Sequence, residues 1–108
     1  MTNRFGDIVL AAGGIYSSKP RPVLVFQNDR LPTGESVVVI PFTSFDDPSA
    51  HYRVPVVPTQ DNGLEKECWL EVDKVSAIRE SWVGKRIGQL DDSRLQQAVD
   101  LARALLTP

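Results

Sequence analysis

Two cations at the mouth of an apolar run are the first residues with chemical promise. The stretch Lys19-Pro20-Arg21-Pro22-Val23-Leu24-Val25-Phe26 places Lys19 and Arg21 each before a proline. A residue before proline is driven out of the α region into extended backbone. Lys19 and Arg21 lie two apart, so in extended chain they project to the same side. Pro20 and Pro22 lack N–H groups, which predicts interrupted pairing at this point. A guanidinium held on stiff backbone suits a phosphate, because its planar fork of donors matches two phosphate oxygens. The alternative is protection of an exposed strand edge by Lys and Pro. Thr43-Ser44 is the second candidate: two hydroxyls end the apolar run Val37–Phe42. Neighbouring side chains of a strand face opposite ways, so one hydroxyl can face a cleft while the other bonds the following turn. An ordinary Ser/Thr turn opening the Asp46-Asp47-Pro48-Ser49 loop is the other reading.

Other chemistries are absent from the sequence. There is no Gly-rich phosphate loop, no HExxH and no GxSxG. The chain has one Cys, Cys68, and one His, His51. They are too few for a structural zinc, so no metal and no cofactor is expected. A lone cysteine also forms no intrachain disulfide, which fits a reducing cytosol.

The elements that must carry these residues are short strands divided by turn chemistry. Gly6-Asp7 opens a strand over Ile8–Ala11, and Gly13–Lys19 reads as a loop. Further strands are predicted over Val23–Gln27, 36–45, Tyr52–Val57, Cys68–Ile78 and Arg86–Leu90. Asn28-Asp29, Pro32-Thr33-Gly34 and Asp61-Asn62-Gly63 mark turns. Leu95, Ala98, Val99, Ala102, Leu105 and Leu106 recur at helical spacing and form one apolar stripe. Asp91 is the expected N-cap, and Asp92 favours the helix dipole. Arg94 falls at N3, so a reciprocal capping box is excluded. The fold class expected is mainly β: a small, strongly bent barrel closed by a C-terminal helix packed on it. Trp69 and Trp82 are expected to be structural.

At 108 residues, 42% hydrophobic and 24% charged, the chain fits one globular domain over 1–108. No apolar run approaches the ~20 residues of a membrane span, and the basic start of a signal peptide is missing. The expected location is the cytoplasm. The net charge of −2 does not advertise a nucleic-acid binder, so any such role requires cations gathered on one face. Lys19, Arg21, Arg53, Lys74, Lys85 and Arg86 are the candidates.

Spread along the chain, these features resemble the MazF/PemK family of toxin endoribonucleases. The resemblance rests on Gly6-Asp7-Ile8-Val9, on Arg21-Pro22-Val23-Leu24-Val25 with its Gln27-Asn28-Asp29 continuation, and on Val38-Val39-Ile40-Pro41-Phe42-Thr43-Ser44. It continues through Tyr52-Arg53-Val54, Gly63-Leu64 before Trp69, Val72-Asp73-Lys74-Val75 and Lys85-Arg86-Ile87-Gly88-Gln89-Leu90. It implies an SH3-like β-barrel of the CcdB/PemK type and a homodimer. It also implies metal-independent, sequence-selective cleavage of single-stranded RNA, in which a 2′-hydroxyl attacks the adjacent phosphate. The ends would be 2′,3′-cyclic phosphate and 5′-hydroxyl, and loss of mRNA would stop translation and growth. Arg21, Thr43 and Ser44 match the catalytic positions. Ser18, Lys19, His51, Tyr52, Arg53, Asp73 and Lys74 fall where RNA contacts are expected. The implied protein partner is a cognate antitoxin whose acidic, disordered segment lies in the RNA groove.

Some of these positions keep a second reading. Tyr52 could stack a base or pack in the core, and Asp73-Lys74 could read a base or a phosphate, or form a solvated strand end. The loop Ala12–Lys19 is a few residues shorter than is usual in the family, so no known cleavage sequence is carried over. The alternative function is a CcdB-type binder that poisons DNA gyrase through its C-terminal helix, with little dependence on Arg21. A third is a catalytically silent relative that binds RNA or an antitoxin.

Overall fold

Seven antiparallel strands followed by one helix form the computed structural model, which describes residues 3–14 and 19–108. The strands are β1 (Asp7–Ala11), β2 (Arg21–Val25), β3 (Ser36–Thr43), β4 (Arg53–Val56), β5 (Cys68–Glu71), β6 (Ser76–Arg79) and β7 (Val83–Gln89); helix α1 spans Asp92–Leu106. They pair in the order β4-β5-β3-β2-β1-β7, with β6 added beside β3.

Long β3 is the hub. One edge pairs with β2 in the register Val23↔Pro41, Leu24↔Ile40, Val25↔Val39. Its other edge is shared: Ser36–Val39 pair with β6, and Phe42 and Thr43 pair with Leu70 and Trp69 of β5. A strand that serves two partners along one edge forces the sheet to bend between them.

The run of consecutive apolar residues in β1, β2 and β3 follows from burial on both faces. Ile8, Leu24 and Ile40 join Leu70, Leu90, Ala98 and Ala102 in the core beneath α1. Val9, Val23, Val25, Val37 and Val39 build a second cluster with Ile78, with Trp82 and Val83 at its border. Each fully buried Leu, Ile or Val contributes ~1.5–3 kcal/mol relative to its exposed state. Helix α1 starts as expected: the Asp91 carboxylate accepts the Arg94 N–H at 3.1 Å.

Several expectations are corrected. The barrel is not closed by strand pairing, since β4 and β7, the two ends of the path, are not paired among the described residues. Loop 57–63 bridges them instead, with the Gln89 N–H donating to the Asp61 carbonyl at 2.8 Å. Gly63 has φ +68°, and a Cβ there would run into the Ile87 carbonyl, so this seam needs glycine. The run Cys68–Ile78 is two strands, divided by a 3-10 turn over Val72–Lys74. Val72 is buried in the turn itself, so an apolar position falls where the chain turns. Strand β2 begins at Arg21 and includes Pro22, because Ala11↔Arg21 and Leu10↔Pro22 are register partners with β1. The missing N–H groups act on the other side, where the β2–β3 ladder stops at Val23↔Pro41. Strand β7 starts at Val83, three residues before its expected start at Arg86.

Candidate active site

The end of the β2–β3 ladder creates the site. Beyond Val23↔Pro41 the two strands run on without pairing, and Pro22 and Pro41 line a cleft of about 460 Å³ between them. Extending the register by two residues sets Arg21 opposite Thr43, and directly opposed residues share a face of the sheet. Arg21, Thr43, Ser44, Lys66, Glu71 and Lys74 all line this cleft.

The Arg21 side chain is exposed and makes no hydrogen bond or ion pair to any described residue. Its five donors are therefore available to a ligand. Thr43 does what the turn reading expects: its Oγ1 accepts the Phe45 N–H at 3.2 Å. That bond uses the hydroxyl as acceptor and leaves its proton for a ligand.

A buried carboxylate organises the opposite wall. Glu71, 6% exposed, ends β5. Its Oε2 accepts from Arg53 Nη2 at 3.2 Å and from Lys74 Nζ at 2.9 Å. Arg53 Nη1 donates to the Phe45 carbonyl at 2.9 Å. Arg53 thus reaches the cleft only through Glu71 and Phe45, whereas Lys74 stays 62% exposed at its rim.

The remaining candidates lie apart from the cleft. Lys19, His51, Tyr52 and Asp73 are exposed and do not line it. Ser18 lies outside the described residues. His51 and Tyr52 stand together, ring centroids 5.9 Å apart. Tyr52 holds φ +62°, a left-handed conformation that costs a bulky residue ~1–2 kcal/mol, and its carbonyl accepts the Val72 N–H at 3.1 Å. Tyr52 is 49% exposed. Asp47 in the neighbouring loop has its carboxyl held below the ordinary value by hydrogen bonds from the Ser49 hydroxyl and amide. Among the described residues no group of three or more His, Cys, Asp or Glu side chains is placed to hold a metal ion.

Sequence reasoning missed Glu71 and Lys66. The signal for Glu71 was an acid closing the apolar run Cys68-Trp69-Leu70, a place that requires a cation opposite it. Lys66 sits in the loop before β5 and carried no local signal. Cys68, also at the cleft, is buried, and burial pushes its thiol up from the ordinary value.

Residues 4–106 match the family described as PemK-like, MazF-like toxin of type II toxin–antitoxin system. The chain is 40% identical over 104 residues to the Probable endoribonuclease MazF of Mycolicibacterium smegmatis (strain ATCC 700084 / mc(2)155), covering 95% of this chain and 93% of that protein. Its fold is similar to that of the Mycobacterium tuberculosis toxin MazF-mt6, with a TM-score of 0.74 at 24% identity over 91% of this chain and 93% of that one. It is similar also to an endoribonuclease from mycobacterial species in complex with its cognate antitoxin, with a TM-score of 0.72 at 16% identity over 99% and 100% of the two chains. The match spans nearly all of the sequence, and the chain belongs to the PemK-like, MazF-like toxins of type II toxin–antitoxin systems.

Proposed function

We propose that this toxin is a metal-independent, sequence-selective endoribonuclease that cleaves single-stranded mRNA in the cytoplasm. The observation that carries the proposal is Arg21: a guanidinium without a partner among the described residues, in a cleft opposite the Thr43 hydroxyl. Transesterification by the RNA's own 2′-hydroxyl requires no enzyme nucleophile. It requires donors aimed at the charge that grows on the non-bridging phosphate oxygens, plus a proton path. Arg21 supplies the donors. Its own deprotonation is disfavoured, so it serves as an electrostatic stabiliser rather than a base. Thr43 and Ser44 orient the phosphate. Lys66 and Lys74 hold flanking phosphates, and the ring of the exposed Tyr52 is a stacking platform for a base. The products are a 2′,3′-cyclic phosphate and a 5′-hydroxyl.

The toxin works as a homodimer and is silenced by a cognate antitoxin whose acidic, disordered segment occupies the cleft and covers Arg21. Its relatives' association with antitoxin supports this, as does the cationic wall. The test is incubation of mixed-sequence single-stranded RNA with wild type and Arg21→Ala in EDTA, followed by end-group analysis. Cyclic-phosphate ends from wild type alone are expected. Equal cleavage by both proteins removes Arg21 from the mechanism, and no cleavage by either turns the reading toward a protein-binding toxin.

A further inference from the structure

We infer that Glu71 is a positioning residue: through Arg53 it fixes the Thr43–Phe45 turn, and by pairing Lys74 it weakens that cation's hold on a flanking phosphate. The inference rests on the proposed ribonuclease reading for its kinetic meaning, not for its geometry.

Arg53 and Glu71 are direct register partners across β4 and β5, so the pair is set by the sheet. Their side chains are 14% and 8% exposed. A carboxylate this deep must be paired, since removing one member leaves an uncompensated charge in a poorly solvated site. The guanidinium then spans two acceptors on different segments, Glu71 Oε2 at 3.2 Å and the Phe45 carbonyl at 2.9 Å. Phe45 also donates its N–H, which lies in the preceding peptide unit, to Thr43 Oγ1 at 3.2 Å. A continuous set of hydrogen bonds therefore runs from a buried acid in β5 to the hydroxyl opposite Arg21. Arg53 is the only charged side chain hydrogen-bonded to the 44–46 segment among the described residues, which makes Glu71 the anchor of that segment. On its other side Glu71 takes Lys74 Nζ at 2.9 Å. One acid thus neutralises part of the charge of two cations, of which only Lys74 lines the cleft, leaving Arg21 and Lys66 as the lining cations without an ion pair among the described residues.

A clamp that merely joined β4 to β5 would alter stability and leave the kinetic constants of the folded protein alone. The two arms separate in Glu71→Gln, which keeps an oxygen for Arg53 and loses the charge that holds Lys74, and in Glu71→Ala, which loses both. Steady-state cleavage of a short single-stranded RNA and thermal unfolding are measured for each. Glu71→Gln is expected to keep kcat within about threefold and to lower KM at low salt, as Lys74 turns to a phosphate. Glu71→Ala is expected to lower kcat by ~10-fold or more, because a shift of ~1 Å in a positioning contact costs up to ~10²-fold. Adding Arg53→Ala to Glu71→Ala should lower kcat little further, as for groups that act as one unit. If Glu71→Ala does not fold, Arg53→Lys replaces it: an ammonium keeps the pair with Glu71 but not the second donor to Phe45, and the same fall in kcat is expected.

Retention of kcat within about twofold by a folded Glu71→Ala or by Arg53→Lys would overturn the inference. So would an equal loss in Glu71→Gln and Glu71→Ala. If wild type cleaves no RNA, the ribonuclease reading fails, and the positioning claim is still read from the backbone amide NMR signals of Thr43 and Phe45. These should move in Glu71→Ala and stay near wild type in Glu71→Gln; signals unmoved in both would refute the anchor.

Discussion

Arg21 stands at the end of a strand, exposed, with nothing among the described residues to neutralise it. Such a residue adds little to folding, and substitutions of this kind usually stay within ~0.5 kcal/mol. Its loss should therefore separate activity from stability. Arg21→Ala is expected to cut kcat by ~10²–10³, the usual effect of removing a preorganised donor, while the unfolding midpoint hardly moves. Arg21→Lys should recover only part of the rate, because an ammonium cannot present the planar fork. Single-turnover cleavage beside thermal unfolding checks both. Cys68 is the opposite case, a group whose effect lies in stability. Burial holds its folded-state thiol above the ordinary value of 9.0. The native state then keeps the proton longer than the unfolded chain does. The resulting stabilisation is complete below that value and is lost as pH rises through it toward the folded value. Urea midpoints at neutral pH and at about pH 10 should show an alkaline loss in wild type that is smaller in Cys68→Ala; an equal loss in both would assign it to other groups.

At the level of elements, local chemistry was legible and pairing was not. The apolar stripe of α1 and its Asp91 cap are properties of a few neighbouring residues, and they appear as read. Asp91→Ala should cost ~1 kcal/mol, or ~4–8 °C in the unfolding midpoint of a domain this size, with RNA cleavage at low temperature unchanged. Calorimetry checks the shift. Arg21, Thr43 and Ser44 stood out as strand-end residues marked by prolines and hydroxyls, whereas Lys74 came from the family resemblance alone. Glu71 was hidden because its meaning depends on the register of β4 against β5, which no local pattern contains. The division of Cys68–Ile78 was hidden for a similar reason: the 3-10 turn buries Val72, so an apolar position falls where the chain turns, with no Gly or Pro to mark it. The seam between β4 and β7 was not legible, because short strands at close spacing predict bending but not which segments meet. Here loop 57–63, organised by the buried Asn62 side chain, fills the gap beside β7.

For the whole molecule, the net charge of −2 means that an anion is attracted only where cations are gathered. The cleft is such a place: it collects Arg21, Lys66 and Lys74, with Glu71 as its acid. RNA and an acidic antitoxin segment would then compete for the same small set of donors. Both should bind with affinities that fall as salt rises. For single-stranded RNA the slope of log K against log salt is ~−0.7 per phosphate neutralised, so three cations predict a slope near −2. Lys66→Ala, a change to an exposed side chain with no ion pair among the described residues, should flatten that slope by about one phosphate contact without altering stability. Anisotropy of a labelled 2′-O-methyl RNA, which lacks the attacking hydroxyl, measures it without cleavage. An acidic peptide should displace that RNA, and the same Lys66→Ala change should weaken the peptide too, because charge-paired ligands share the loss of the cation. If the peptide instead binds with no dependence on Lys66, Arg21 or salt, it docks elsewhere on the molecule. The antitoxin would then silence the enzyme from outside the cleft rather than by filling it.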